Sequence, residues 1–209
     1  MSTLVLVALI SYLFGSLPAG YLAGRLAGAD IRKVGSGNIG ATNVLRVLGK
    51  RYGYPVFVVD FAKGLAAVLL AVHIARETAG GGASFVDLCA AIGGVCVVLG
   101  HSFPVWLRFK GGKGVATSIG ALFGLMPLAG LVVCVVWIVT FELSRYVSLA
   151  SVAAALALPA TVAALRVFEQ PLSPILFYFS LCLAAVVVTR HRSNLSRLVR
   201  GTEPRFRRK

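Results

Sequence analysis

Apolar blocks of membrane-spanning length recur along this chain, at roughly 3–24, 55–75, 84–107, 115–141, 147–165 and 171–189. A helix needs about 20 consecutive apolar residues to cross the hydrocarbon core of a bilayer, where no water is available to satisfy an unpaired backbone amide. So many blocks in 209 residues leave one solution: an all-α polytopic integral membrane protein. Only 13% of the residues are charged, against about 25% in a soluble domain. Residues 1–209 are therefore expected to form a single transmembrane domain with no separate soluble part. The first block has no basic leader and is too long for a signal-peptide core, so it reads as a retained first span.

Charge sets the expected number of crossings. Lys and Arg total 21 against 7 Asp and Glu, a formal charge of +14. Cytoplasmic loops of membrane proteins collect such residues, which also attract anionic headgroups; nucleic acid is a poor partner for a chain with so little polar surface. Three basic, glycine-containing segments stand between or after the blocks: 25–54, "RFKGGKG" at 108–114, and the tail from Arg190. If all three face the cytoplasm, two crossings separate the first from the second, but three blocks separate the second from the third. The parity is repaired if the long block 115–141 turns near Met126-Pro127, since proline breaks or kinks a helix. This predicts seven transmembrane helices, some of them short, with the N-terminus outside and the C-terminus cytoplasmic. Five spans is the competing count; six would export the basic tail.

The first basic segment contains "GSGNIG" at 35–40. Read literally it is the dinucleotide pattern G-x-G-x-x-G. That pattern requires a preceding strand and an acidic residue about twenty positions on, and neither fits the end of one apolar block and the start of the next. A glycine-rich anion nest at a helix start fits better, with short polar side chains from Ser36, Asn38, Thr42 and Asn43. Thr42 and Arg46 lie four apart on one helix face. In the second segment Gly111, Gly112 and Gly114 are expected to expose amides beside Lys110 and Lys113, although "GGKG" is no Walker loop and a plain basic turn reads equally well. His101 is either part of that site or a helix-end residue bonded to backbone. In the tail, His191 and Asn194 share one face of a short helix capped by Gly201; the bland alternative is a lipid-binding amphipathic tail. Three such segments on one membrane face favour a shared site for phosphate groups.

Several chemistries are excluded by the inventory. The seven acids are too scattered for a two-metal phosphoryl-transfer centre, so no metal is expected. None of His73, His101 and His191 is followed five residues later by Asp, and no G-x-S-x-G elbow occurs. Cys89, Cys96, Cys134 and Cys182 lie singly in apolar runs and read as packing residues. Asp60 and Lys63, three apart in the second block, read as an ion pair that orients helices, with Arg46 as another possible partner for Asp60.

The stretches "GSGNIGATNVLRVLGK" (35–50), "GHSFPVWLRFKGGKGVAT" (100–117) and "HRSNLSRLVRGTE" (191–203), with "DFAKG" at 60–64, resemble the motifs of the bacterial membrane acyl-phosphate:glycerol-3-phosphate acyltransferases, the PlsY family. The resemblance implies acyl transfer from acyl-phosphate to glycerol 3-phosphate without a cofactor, in the bacterial inner membrane and with the site facing the cytoplasm. The implied partners are those two substrates and membrane lipid. Ser36, Arg46, Lys110, His101, His191 and Asn194 are the implied catalytic residues. Gly35, Gly37, Asn38, Gly40, Thr42, Asn43, Gly111, Gly112, Lys113, Gly114, Thr117 and Glu203 are the implied substrate-binding residues, with Glu203 keeping the tail docked. A membrane transporter of a phosphorylated or organic anion is the alternative from another class.

Overall fold

The computed structural model describes residues 2–79, 82–168 and 173–206. Every regular element among them is helical, and the chain divides into two compact units, Met1–Leu125 and Met126–Lys209.

The first unit contains α1 (Thr3–Gly15), α2 (Ala19–Leu26), α3 (Ala41–Leu48), α4 (Lys50–Ala79), α5 (Ala83–Ser102), a 3₁₀ turn (Val105–Leu107) and α6 (Val115–Leu125). The first apolar block is interrupted where the sequence reading left it continuous. Pro18 has no N–H and disfavours helical geometry in the residue before it, so the helix parts between Gly15 and Ala19. The buried Lys63 ammonium donates to the carbonyl oxygen of Leu17, at 3.0 Å, in this break. Backbones cross closely in this unit because small residues line the crossings, as is usual where lipid removes the hydrophobic drive. A Cβ on Gly15 would collide with the Val97 carbonyl, and one on Gly100 with that of Tyr12, which fixes α1 against α5. Gly64 and Gly120 do the same between α4 and α6, against the carbonyls of Thr117 and Phe61.

The second unit contains α7 (Pro127–Ser144), α8 (Val147–Phe168), α9 (Pro174–Arg190) and α10 (Arg192–Val199). The block 115–141 is thus two helices that part at Met126, with Pro127 opening the second. Proline is well placed there, since the first helical N–H has no partner to lose. α7 and α8 form a hairpin turned by Arg145 in the left-handed region, at φ 61°. Trp137 donates from Nε1 to Ser151 Oγ across the hairpin at 3.1 Å.

Among the described residues, five candidate spans are long and apolar enough to cross a bilayer, with α1 and α2 counting as one of 24 residues. The α9–α10 pair, bent by 57°, makes a sixth if taken as one span, and α6 is apolar but short.

Candidate active site

Asn43 builds the first loop from the inside. Its side chain is 2% exposed. Its Oδ1 accepts the amide of Ser36 at 2.8 Å, and its Nδ2 faces the carbonyls of Ile31, Val34 and Asn38 at 3.2, 3.1 and 2.9 Å. Gly35 must be glycine, because its φ is 61° and a Cβ there would strike Asn43 Oδ1. Asn38 Oδ1 accepts the Gly40 amide at 2.8 Å, and the Gly37 amide donates to Val34. The loop was expected to aim successive amides at an anion. The structure instead engages those of Ser36, Gly37 and Gly40 within the loop itself, and makes Asn43 its internal staple. What faces outward is side chain. Ser36 is exposed, Thr42 is half-buried on the first turn of α3, and Arg46 is exposed one turn later. Arg46 has no ion-pair partner among the described residues. Arg32 is different: it chelates Asp30 through Nε and Nη2 at 2.9 and 2.8 Å and lies over the Tyr21 ring. The Arg32 hydrogen bonds lower the Asp30 carboxyl to about 2.

The second motif is also organised by helix-end carbonyls. The amides of Gly111 and Gly112 donate to the carbonyls of Ser102 and His101 at 3.2 and 3.0 Å. A helix leaves its last four carbonyls without intrahelical partners, and these two amides satisfy two of them at the end of α5. They cap a helix and do not line a nest, again contrary to expectation. Gly114, at φ 78°, leads into α6, where Thr117 is fully buried and its hydroxyl has no partner among the described residues. Lys110 is exposed and Lys113 partly so. The two motifs share one apolar floor, since Leu107 packs in the same cluster as Ile31, Ile39, Val44 and Val56. His101 is buried, and its Nδ1 lies 3.3 Å from Asp60 Oδ1, which also holds Lys63 Nζ at 2.8 Å. Asp60 therefore pairs with Lys63 as expected, but its other partner is His101 and not Arg46. The i,i+3 spacing of Asp60 and Lys63 gave away their own pairing; no local pattern linked Asp60 to a histidine forty residues on.

The third motif belongs to the second unit. α10 ends in a Schellman motif: Thr202 N donates to Arg197 O, Gly201 N donates to Leu198 O, and Gly201 sits at φ 70°. That turn brings Glu203 back along the helix. Its Oε1 accepts from Asn194 Nδ2 at 2.6 Å and from Ser148 Oγ at 2.7 Å, and its Oε2 accepts from Arg197 Nε at 2.7 Å. Glu203 thus docks the tail onto α8; Ser148 was not foreseen, because a serine opening an apolar helix carries no distinguishing signal. His191 is buried, with Nδ1 2.7 Å from the Val187 carbonyl. Burial alone would raise the Glu203 carboxyl, but its three donors outweigh that and hold it below the ordinary 4.5. A depressed carboxylate contributes its stability above 4.5 and loses it as pH falls through the lower folded value. Tail docking, read by limited proteolysis after residue 190, should therefore be unchanged between pH 6 and 8. It should loosen only as pH falls below 4.5, and Glu203→Gln should loosen it at every pH.

Together these elements define a polytopic helical membrane protein that presents hydroxyl and cationic side chains on glycine-rich loops at helix ends. A family model described as glycerol-3-phosphate acyltransferase matches residues 5–201. A glycerol-3-phosphate acyltransferase of Synechococcus elongatus is 47% identical over 205 residues, covering 98% of this chain and 95% of its own. That of Geotalea daltonii is 42% identical over the full length of both. The crystal structure of PlsY (YgiH), an integral membrane glycerol 3-phosphate acyltransferase in its glycerol 3-phosphate form, is 39% identical. It superposes with a TM-score of 0.85 over 99% of this chain and 96% of its own. The lysophosphatidic acid form gives 0.83 at 38% identity. The chain belongs to the glycerol-3-phosphate acyltransferase family.

Proposed function

We infer that the chain transfers a fatty acyl group from acyl-phosphate to sn-glycerol 3-phosphate, giving 1-acyl-glycerol 3-phosphate (lysophosphatidic acid) and inorganic phosphate. This is the first acylation of phospholipid synthesis. Family membership along nearly the whole chain, to relatives that carry this name, is the observation that supports it. An acyl-phosphate is a mixed anhydride and is already activated. The glycerol hydroxyl oxygen attacks the acyl carbon, the bond from that carbon to the phosphate oxygen breaks, and phosphate leaves with the electron pair. A phosphate oxygen, with a second pKa near ~6, takes the hydroxyl proton. Positioning two reactants is worth about 7–11 kcal/mol, and a donor aimed at the developing oxyanion about 3–4 kcal/mol. Neither contribution needs a triad.

Within this reading Ser36 and Thr42 hold the acyl-phosphate head or its oxyanion, and Arg46 and Lys110 clamp phosphate. Asn43 with Gly35, Gly37, Asn38 and Gly40 shapes the first loop. Gly111, Gly112, Lys113, Gly114 and Thr117 form the glycerol-phosphate loop. His101, His191 and Asn194 position glycerol phosphate, and Glu203 keeps Asn194 in place. Residues 1–209 work as one acyltransferase domain that crosses the bacterial inner membrane seven times. α6 and α9 complete the count, the N-terminus is outside, and the motifs face the cytoplasm. Exposed Trp106 and Phe109 suit the headgroup level there.

Purified protein in detergent, given glycerol 3-phosphate with acyl-phosphate, acyl-CoA or acyl-carrier protein, should release phosphate and form lysophosphatidic acid only with the first donor. Turnover with a thioester in its place overturns the donor assignment.

A further inference from the structure

Asp60, Lys63 and His101 form a charged trio inside the first unit, with side chains 3%, 4% and 5% exposed. Lys63 neutralises Asp60 through a 2.8 Å ion pair and donates a hydrogen bond to the Leu17 carbonyl. A protonated His101 would leave a net positive charge in this interior, where unpaired charge is costly. The neutral imidazole is the balanced state. Asp60 Oδ1 lies 3.3 Å from Nδ1 without the alignment of a hydrogen bond; its negative charge still favours the single ring proton on Nδ1 over a lone pair facing it, because a carboxylate only accepts. The opposite edge of the ring meets the glycine loop. A Cβ on Gly112 would fall on His101 Nε2, with Cε1 at 2.8 Å and Cδ2 at 2.9 Å. The tip of the imidazole therefore occupies the direction that a side chain at 112 would take.

We propose that Asp60 and Gly112 are positioning residues for His101. Asp60 favours the Nδ1–H tautomer and Gly112 leaves room for the Nε2 edge, so that the ring is held in a set orientation against the glycine loop of the second motif. The kinetic consequence rests on the acyltransferase reading; the tautomer does not.

Two measurements test this. In protein carrying ¹⁵N-histidine in detergent micelles, the His101 signals, assigned by their loss in His101→Gln, should show a protonated Nδ1 and a bare Nε2. Asp60→Asn should mix the tautomers, because a carboxamide donates as well as accepts. An Nε2–H tautomer or an imidazolium in the unmodified protein, or no response to Asp60→Asn, overturns the proposal. In the second measurement, Asp60→Asn and Gly112→Ala should each lower kcat/KM for glycerol 3-phosphate by about 10²-fold, the effect of displacing a group by ~1 Å. Placed on a His101→Ala background, each should cost less than about twofold more, because their effects pass through one residue. Full additivity of the losses overturns the proposal. Should Asp60→Asn fail to fold, Gly112→Ala decides alone by its coupling to His101 and by a shift of the ring signals. If the unmodified protein transfers acyl groups from none of the donors, the acyltransferase reading fails while the ring signals still decide the trio.

Discussion

Arg46→Ala should lower kcat/KM for acyl transfer by about 10²–10³-fold, the loss seen when one preorganised donor to developing negative charge is removed. The fold should survive. Arg46 is exposed on the last turn of α3 and anchors no part of the unit around it. Its guanidinium is available in a way that Arg32, chelated by Asp30 and laid over Tyr21, is not. Arg32→Ala is therefore the internal control and should change turnover by no more than a few-fold. Arg46→Lys should restore only part of the activity, since an ammonium keeps the charge and loses the planar fork that meets phosphate bidentately. The measurements are phosphate release at varied glycerol 3-phosphate and the thermal midpoint in detergent. An Arg46→Ala enzyme within threefold of the unmodified one, at an unchanged midpoint, would remove Arg46 from the site.

Asn43→Asp should be at least as damaging, for the opposite reason. The substitution is nearly isosteric and keeps an oxygen for the Ser36 amide. It replaces Nδ2, which faces three carbonyls, with an oxygen that cannot donate, inside a position 2% exposed. A buried polar group left without its partner costs about 1–3 kcal/mol, and more when charged. Several are stranded at once here, so about 3 kcal/mol or more is expected, enough to disorder the first loop. Activity should fall below detection and protease cleavage between 30 and 45 should accelerate, while the helical circular dichroism signal stays close to normal. A first loop as protease-resistant as before would show that Asn43 is not its staple.

The sequence was most legible where physics is local. Apolar runs marked the helices, and Pro127 marked the division of the fourth block. Thr42 and Arg46 were placed on one face by spacing alone, and Gly201 ended α10 as its conformational freedom allows. Pro18 carried the same signal as Pro127 but was overlooked, because the apolar pattern runs through it without a change in hydropathy. The glycine loops were read as anion nests because composition shows where amides are accessible to a ligand. It does not show which helix ends nearby need them. Gly111 and Gly112 serve the carbonyls of α5, and that demand exists only once α5 and the loop have met. The contact between Asp60 and His101 was hidden for a related reason: the crossing of α4 and α5 that makes it depends on packing and not on spacing.

Lys63 and Asp60 sit on a single turn of α4. One reaches back to the break in the first block, and the other reaches across to His101 at the end of α5. The break in the first block and the end of α5 are thus tethered to the same few ångströms of one long helix. When the bilayer thickens or thins and α4 tilts to follow it, the two stretches should travel as a pair. Their mutual spacing is then insulated from changes in lipid composition.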